Sequence, residues 1–179
     1  MPDAPEIRYR RARPDEWDAS ARVLRFANFH HVPSPEMPAF DLDRAFVAEA
    51  RGVEGDAAGP DGLVVGVAGW AVLGDGRGKT TLMAVDPAWR RYGIGVELQT
   101  RRMRELRAAG CRTVVTNADL PETIAWYERK FGYRRVGTLP KLHEFGDPAV
   151  DHWTTIECDL DAWAARTPPP STPSPPPAA

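Results

Sequence analysis

The chain has 179 residues, 23 basic and 25 acidic, for a net charge of −2. That length suits one domain with a proper core, and the near-neutral balance gives no electrostatic case for a nucleic-acid partner. No apolar run is long enough to span a bilayer, and Met1-Pro2-Asp3-Ala4-Pro5-Glu6 lacks the basic-then-apolar build of a signal peptide, so a cytoplasmic protein without a membrane partner is expected.

Ile7 to Arg11 reads as a first, edge strand. Pro14-Asp15-Glu16-Trp17 then opens a helix whose acidic first turn complements the helix dipole, with Trp17, Ala21 and Leu24 as its apolar side running toward Phe29. Prolines 33, 35 and 38 force a loop. Phe40, Ala45, Phe46 and Ala48 predict a second helix from about Asp41 to Arg51, and Gly52 to Gly62 reads as a loop. Leu63-Val64-Val65 and Val67 to Leu73 are strand material, with Gly66 marking a bulge or an early turn. With a glycine-rich hairpin turn over Gly74 to Gly78 and a strand over Lys79 to Val85, they predict an antiparallel meander.

The most informative stretch follows. Pro87 has no amide hydrogen to donate, so the strand must stop at Val85 or Asp86. Apolar residues then recur at helical spacing through Val96, Leu98, Met103 and Leu106, which starts a helix near Gly93 to Gly95. Free amides and the positive dipole end of a helix's first turn bind phosphate oxygens, and glycine lets a ligand reach the backbone. Arg90 and Arg91 add planar donor forks at the same place. A pyrophosphate site is therefore predicted over Arg90, Arg91, Tyr92, Gly93, Ile94 and Gly95. It is neither common phosphate loop: a dinucleotide fingerprint would need glycine at Leu98, and a Walker A loop ending at Gly78-Lys79-Thr80 would need one at Leu73 and a helix where a strand follows.

The helix from Gly95 to Ala109 carries Arg101, Arg102, Arg104 and Arg107 beside Glu97 and Glu105, read as a solvated face, and Gly110 caps it. Thr113 to Thr116 is the next strand, expected parallel to Thr80–Val85 because a strand-helix unit precedes it. Pro121 and Glu122 suit the first turn of a further helix, which carries Ile124, Trp126, Tyr127 and Phe131 and ends at Gly132. Tyr133 to Leu142 and His152 to Leu160 read as two last strands, joined by the polar and aromatic loop His143 to Asp151. Cys111 and Cys158 have no metal-ligand spacing and read as reduced structural thiols. One domain over 1–166 and a disordered proline-rich tail over 167–179 are expected.

Two motifs in order carry a resemblance. Arg90-x-x-Gly93-x-Gly95 after a strand ending in Val85-Asp86-Pro87, and Thr123 to Tyr133 with its Tyr127 and its terminal Gly132-Tyr133, resemble the GNAT (GCN5-related N-acetyltransferase) superfamily over roughly Leu63 to Leu160. The resemblance implies an α/β (α+β) fold with a central mixed, mostly antiparallel sheet of about six to seven strands flanked by about four helices. It further implies two parallel strands that splay apart around a pantetheine arm, acetyl-CoA as cosubstrate, and no metal. By the same resemblance the backbone of Met83, Ala84 and Val85 holds the thioester and pantetheine, Arg90 to Gly95 hold the pyrophosphate, and Tyr127 protonates the departing thiolate. A phenol suits a thiolate of similar basicity.

Two departures are visible. Relatives often carry a cofactor-binding asparagine seven residues before the tyrosine, where this chain has Leu120; Asn117 is nearby but out of register. The strand equivalent to Thr80–Val85 has no glutamate to act as base, which leaves His143 and Glu144 as the preferred candidates, with Asp151, His30 and His31 behind them, or no side chain at all if water relays the proton. Phe29, His30 and His31 stand where relatives wall the acceptor side. The expected acceptor is a primary amine of a small molecule; protein or peptide N-acetylation, or a non-catalytic acyl-CoA-binding module, are the alternatives. A homodimer is the assembly the resemblance suggests.

Overall fold

The apolar runs of the first half become strands more often than their composition suggests. A computed structural model describes residues 6–27, 40–53, 62–142 and 146–167. In chain order the elements are β1 (Ile7–Arg11), α1 (Trp17–Arg25), β2 (Ala45–Ala50), β3 (Leu63–Gly74), β4 (Arg77–Val85), α2 (Ile94–Ala108), β5 (Thr113–Ala118), α3 (Pro121–Phe131), β6 (Arg134–Pro140), β7 (His152–Asp159) and α4 (Leu160–Arg166). The strands form one sheet in the order β1-β2-β3-β4-β5-β7-β6, antiparallel except for the central β4–β5 pair. The fold class expected from the sequence is the one observed.

Two expectations need correction. The helix expected over Asp41 to Arg51 is a short 3-10 turn, Leu42–Arg44, followed by β2. Every residue of β2 is buried, because Ala45 and Val47 pack with α1 on one face while Phe46, Ala48 and Ala50 pack with α2 on the other. A strand covered on both faces has no alternation to reveal it. The second correction is α4, which the sequence reading left out: Asp159 caps it by accepting from the Ala162 amide at 2.8 Å, and Leu160 and Trp163 are its buried residues.

Gly66 flanks a bulge and is not a turn, since β3 continues through it while the pairing with β2 shifts register beside it. A Cβ there would come within 2.8 Å of Ile94 Cγ2 and 3.0 Å of Leu98 Cδ1, so the missing side chain is what lets α2 lie close on the sheet. The irregularity falls one residue earlier, where Ala48 faces Gly66 but Glu49 faces Val64. The freed Val65 carbonyl accepts from the Asp86 amide at 2.8 Å and so anchors the end of β4.

Candidate active site

The central strands part company. β4 and β5 pair only over Arg77–Lys79 and Thr113–Val115, although β4 continues to Val85 and β5 to Ala118. Beyond that point the sheet holds a cleft of about 590 Å³, with Thr81, Met83, Ala84 and Val85 on one wall and Thr116, Asn117 and Ala118 on the other. Leu120, Thr123 and Tyr127 close its α3 side, and Phe26, Ala27, Asp147, Pro148 and Trp153 rim the rest.

At the open end of β4, Asp86 folds back to cap a 3-10 turn over Pro87–Trp89 by accepting from the Ala88 amide at 3.0 Å, and Arg22 of α1 donates to the same carboxylate at 3.2 Å. The chain then passes through Arg91 and Gly93, both at φ 74°, into α2. For a non-glycine residue that conformation is strained, and such strain gathers at ligand sites. The first intrahelical bond runs from the Glu97 amide to the Gly93 carbonyl at 3.1 Å, which leaves the amides of Ile94, Gly95 and Val96 without a helical partner. A smaller hollow of about 280 Å³ lies over this turn, lined by Val85, Trp89, Arg90, Arg91, Gly93, Gly95 and Trp126 among others. A Cβ on Gly93 would meet nothing within 4 Å, and one on Gly95 only Trp126 Cζ2 at 3.9 Å. The amide face is thus open, and Arg90 borders both this hollow and the cleft. Tyr92 is half exposed beside Trp89, with ring centroids 5.7 Å apart.

Tyr127 is 5 % exposed yet lines the cleft. Edge-on contacts with Trp126 and Tyr133, at 4.8 and 5.1 Å between centroids, fix its ring. Behind it lies Arg102, and here the solvated-face reading of α2 is corrected: Arg102 is fully buried, whereas Arg101, Arg104 and Arg107 keep exposure. Arg102 donates to Tyr127 Oη at 3.4 Å and to the Gln99 amide oxygen, and Gln99 Nε2 in turn donates to Tyr133 Oη at 3.0 Å. Burial pushes the Tyr133 hydroxyl well above its ordinary pKa, so it stays a neutral phenol in this network. Sequence reasoning missed Arg102, although it continues the inward stripe Ile94, Leu98, Leu106 at intervals of four.

The remaining expectations divide. Met83, Ala84, Val85, Arg90 and Asn117 all reach the cleft; Asn117 Oδ1 accepts from Thr155 Oγ1 at 3.0 Å, which orients the amide. Phe29, His30, His31, His143 and Glu144 lie outside the described residues, as does the tail after Thr167. Described neighbours of both loops do reach the cleft: Phe26 and Ala27 before the first, Gly146 to Pro148 after the second. Asp119 anchors the described residues on either side of the second loop, accepting from Lys141 Nζ at 2.8 Å and from the Asp147 amide at 2.7 Å. Cys158 does not face the cleft; it is buried against the Phe131 carbonyl, and burial pushes its thiol up to about 11. Among the described residues no cluster of metal-ligating side chains occurs, and no helix is long and apolar enough to cross a membrane.

Solved structures share this architecture. Ard1 from Thermoplasma volcanium superposes with a TM-score of 0.65 at 18% identity, covering 86% of this chain and 97% of that one. An N-acetyltransferase from Staphylococcus aureus Mu50 gives 0.62 at 20%, covering 87% and 99%. The protein yncA from Salmonella typhimurium, solved with its cofactor acetyl-CoA, gives 0.61 at 19%, covering 87% and 95%. The fold is therefore that of the N-acetyltransferases. The sequence also matches the family described as acetyltransferase (GNAT) domain over residues 41–135, more than half of the chain, and the chain belongs to that family. Comparison with curated proteins gives no significant match.

Proposed function

We propose that this GNAT N-acetyltransferase moves an acetyl group from acetyl-CoA directly to the primary amine of a small molecule, with Tyr127 as the general acid. The observation that carries the reading is the continuity of one surface: an open, glycine-flanked helix start, the unpaired ends of β4 and β5, and the Tyr127 ring beside them. Bound there, acetyl-CoA supplies an activated acyl carbon and a thiolate leaving group. The amides from Arg91 to Gly95, with the Arg90 and Arg91 guanidinium groups, suit its pyrophosphate. The edge amides and carbonyls of Met83 to Val85 suit its pantetheine arm, and Asn117 stands opposite them.

A small acceptor is favoured by the far rim. Asp119 holds Asp147 and Lys141 together there, and Gly146, Asp147 and Pro148 wall the cleft beside it. His143 or Glu144, between those anchors in sequence, is proposed as the base, and Phe29, His30 and His31 as acceptor contacts. Calorimetric titration with acetyl-CoA, followed by a screen of primary amines with thiol release as readout, tests the proposal. Saturable binding and turnover of small amines are expected. A folded protein that binds no acetyl-CoA, or one that acetylates peptides and no small amine, overturns it.

A further inference from the structure

Arg102 makes all its hydrogen bonds to described residues with neutral groups. Its Nη1 donates to the carbonyls of Gly69 at 3.0 Å and Thr81 at 3.2 Å, where the β3–β4 ladder skips from Ala68–Met83 to Trp70–Thr80. Its Nη2 reaches Gln99 Oε1, Met83 Sδ at 3.4 Å and Tyr127 Oη at 3.4 Å, while its Nε is left without a described partner. A fully buried cation held by neutral acceptors is costly to keep. The ladder irregularity accounts for Nη1. It does not account for Nη2.

A guanidinium has only donors, so in the contact with Tyr127 the phenol oxygen must accept. The Tyr127 hydrogen is then turned away from Arg102. Gln99 is consistent with this sense, its oxygen accepting from Arg102 and its amide nitrogen donating to Tyr133. We infer that Arg102 is a positioning residue for acyl transfer, aiming the Tyr127 hydroxyl into the cleft and stabilising the phenolate that forms there. This rests on the reading of Tyr127 as general acid. As the carbon–sulfur bond breaks, the electron pair stays on sulfur, Tyr127 Oη gives sulfur its proton, and water restores it; the acceptor nitrogen sheds one proton on acylation, so the count closes. During that interval the negative charge sits on Oη, next to a fixed positive charge that needs no reorganisation. The present 3.4 Å contact is long, as contacts of catalytic groups are before substrate binds.

The test compares wild type, Arg102→Met, Arg102→Lys, Tyr127→Phe and the Arg102→Met/Tyr127→Phe double variant in two assays. Calorimetry with CoA and with desulfo-CoA reads recognition of sulfur without turnover. Wild type is expected to prefer CoA, and Arg102→Met and Tyr127→Phe are each expected to lose the preference while keeping the affinity for desulfo-CoA. Thiol release from acetyl-CoA with hydroxylamine as a generic acceptor reads the chemical step. There kcat is expected to fall roughly ten- to a hundredfold in Arg102→Met with KM for acetyl-CoA unchanged. The double variant should lose no more than Tyr127→Phe alone, and Arg102→Lys should recover part of the rate.

A folded Arg102→Met with unchanged kcat, or a loss that multiplies with that of Tyr127→Phe, overturns this inference alone. An unaffected Tyr127→Phe overturns the general-acid reading and this inference with it. Should Arg102→Met fail to fold, Gln99→Met releases Nη2 and keeps the cation; a kcat loss that vanishes in the Tyr127→Phe background supports the inference, and an unchanged kcat overturns it.

Discussion

Thr116 Oγ1 donates to the Thr80 carbonyl across 3.3 Å, one residue beyond the last paired rung of β4 and β5. A single side chain thus bridges the two strands where the backbone ladder gives out. Thr116→Val keeps the shape and removes the bridge, so it is expected to cost about 1 kcal/mol of stability. For a protein of this size that lowers the melting temperature by roughly 2–4 °C. Because the bridge sits at the apex of the cleft, acetyl-CoA affinity should weaken with it, and paired melting and calorimetric measurements check both effects.

Gly95 faces open space over the first turn of α2, with Trp126 the only neighbour a Cβ would meet. Gly95→Val therefore has room in the free protein and should leave the melting temperature nearly unchanged. It occupies the face where the pyrophosphate is proposed, so acetyl-CoA binding should be abolished. Arg90→Ala removes one charge-assisted donor and should weaken binding by roughly tenfold, about 1.4 kcal/mol. Equal affinity in both variants would remove the phosphate from this turn.

These two sites were unequally legible in the sequence. The glycine turn was readable because Pro87 must end a strand and glycine must precede a closely approached helix, which are local constraints. β2 was not, because Ala45-Phe46-Val47-Ala48 is buried on both faces, and a short apolar run carries no period. Arg102 was hidden for a different reason: an arginine counts as polar in any pattern, and only the stripe Ile94, Leu98, Leu106 around it marks the position as inward. The parting of β4 and β5 came from family resemblance, since pairing that stops partway along two apolar strands leaves no trace in either strand's composition.

Asp119 joins three donors at the far rim: Lys141 Nζ, the Asp147 amide and, at 2.9 Å, the Leu120 amide. Both partners of the ion pair are largely buried, and Lys141 also lies 4.6 Å over the Trp153 ring. Asp119→Ala leaves that cation facing fewer acceptors. It should destabilise the protein by about 3 kcal/mol, the low end for a broken buried pair because Lys141 keeps the Asp147 carbonyl at 2.7 Å. Since the same carboxylate holds one wall of the cleft, KM for the acceptor amine should rise more than KM for acetyl-CoA, a split that steady-state kinetics would resolve.

Acid stability should be governed in part by Glu16. Burial by itself would raise its carboxyl, but hydrogen bonds from Arg10 at 2.6 and 2.8 Å and from the Arg13 amide at 2.7 Å, with the charge of both arginines, outweigh burial and hold it below the ordinary value of 4.5. A depressed carboxyl binds fewer protons folded than unfolded, so its stabilisation is present above pH 4.5 and is lost as pH falls through the lowered value. Melting curves should therefore drop below pH 4.5, and the gap between wild type and Glu16→Gln should narrow over the same range. A gap that is constant with pH would mean the carboxylate charge contributes nothing.

Cys158 and Cys111 are both buried, and burial raises both thiols, Cys158 to about 11. Reaction with disulfide reagents needs thiolate and access, and neither is available at neutral pH. Native protein should accordingly show no fast thiol titre, and denatured protein should show two. The raised pKa also sets a sign for alkaline stability: the neutral thiol is favoured by folding, so the contribution of Cys158 is complete below its ordinary 9.0 and declines as pH rises through about 11. Rapid labelling of the folded protein at pH 8 would place one of these thiols at the surface, and would also require a cysteine-free variant for any assay that reads CoA by its thiol.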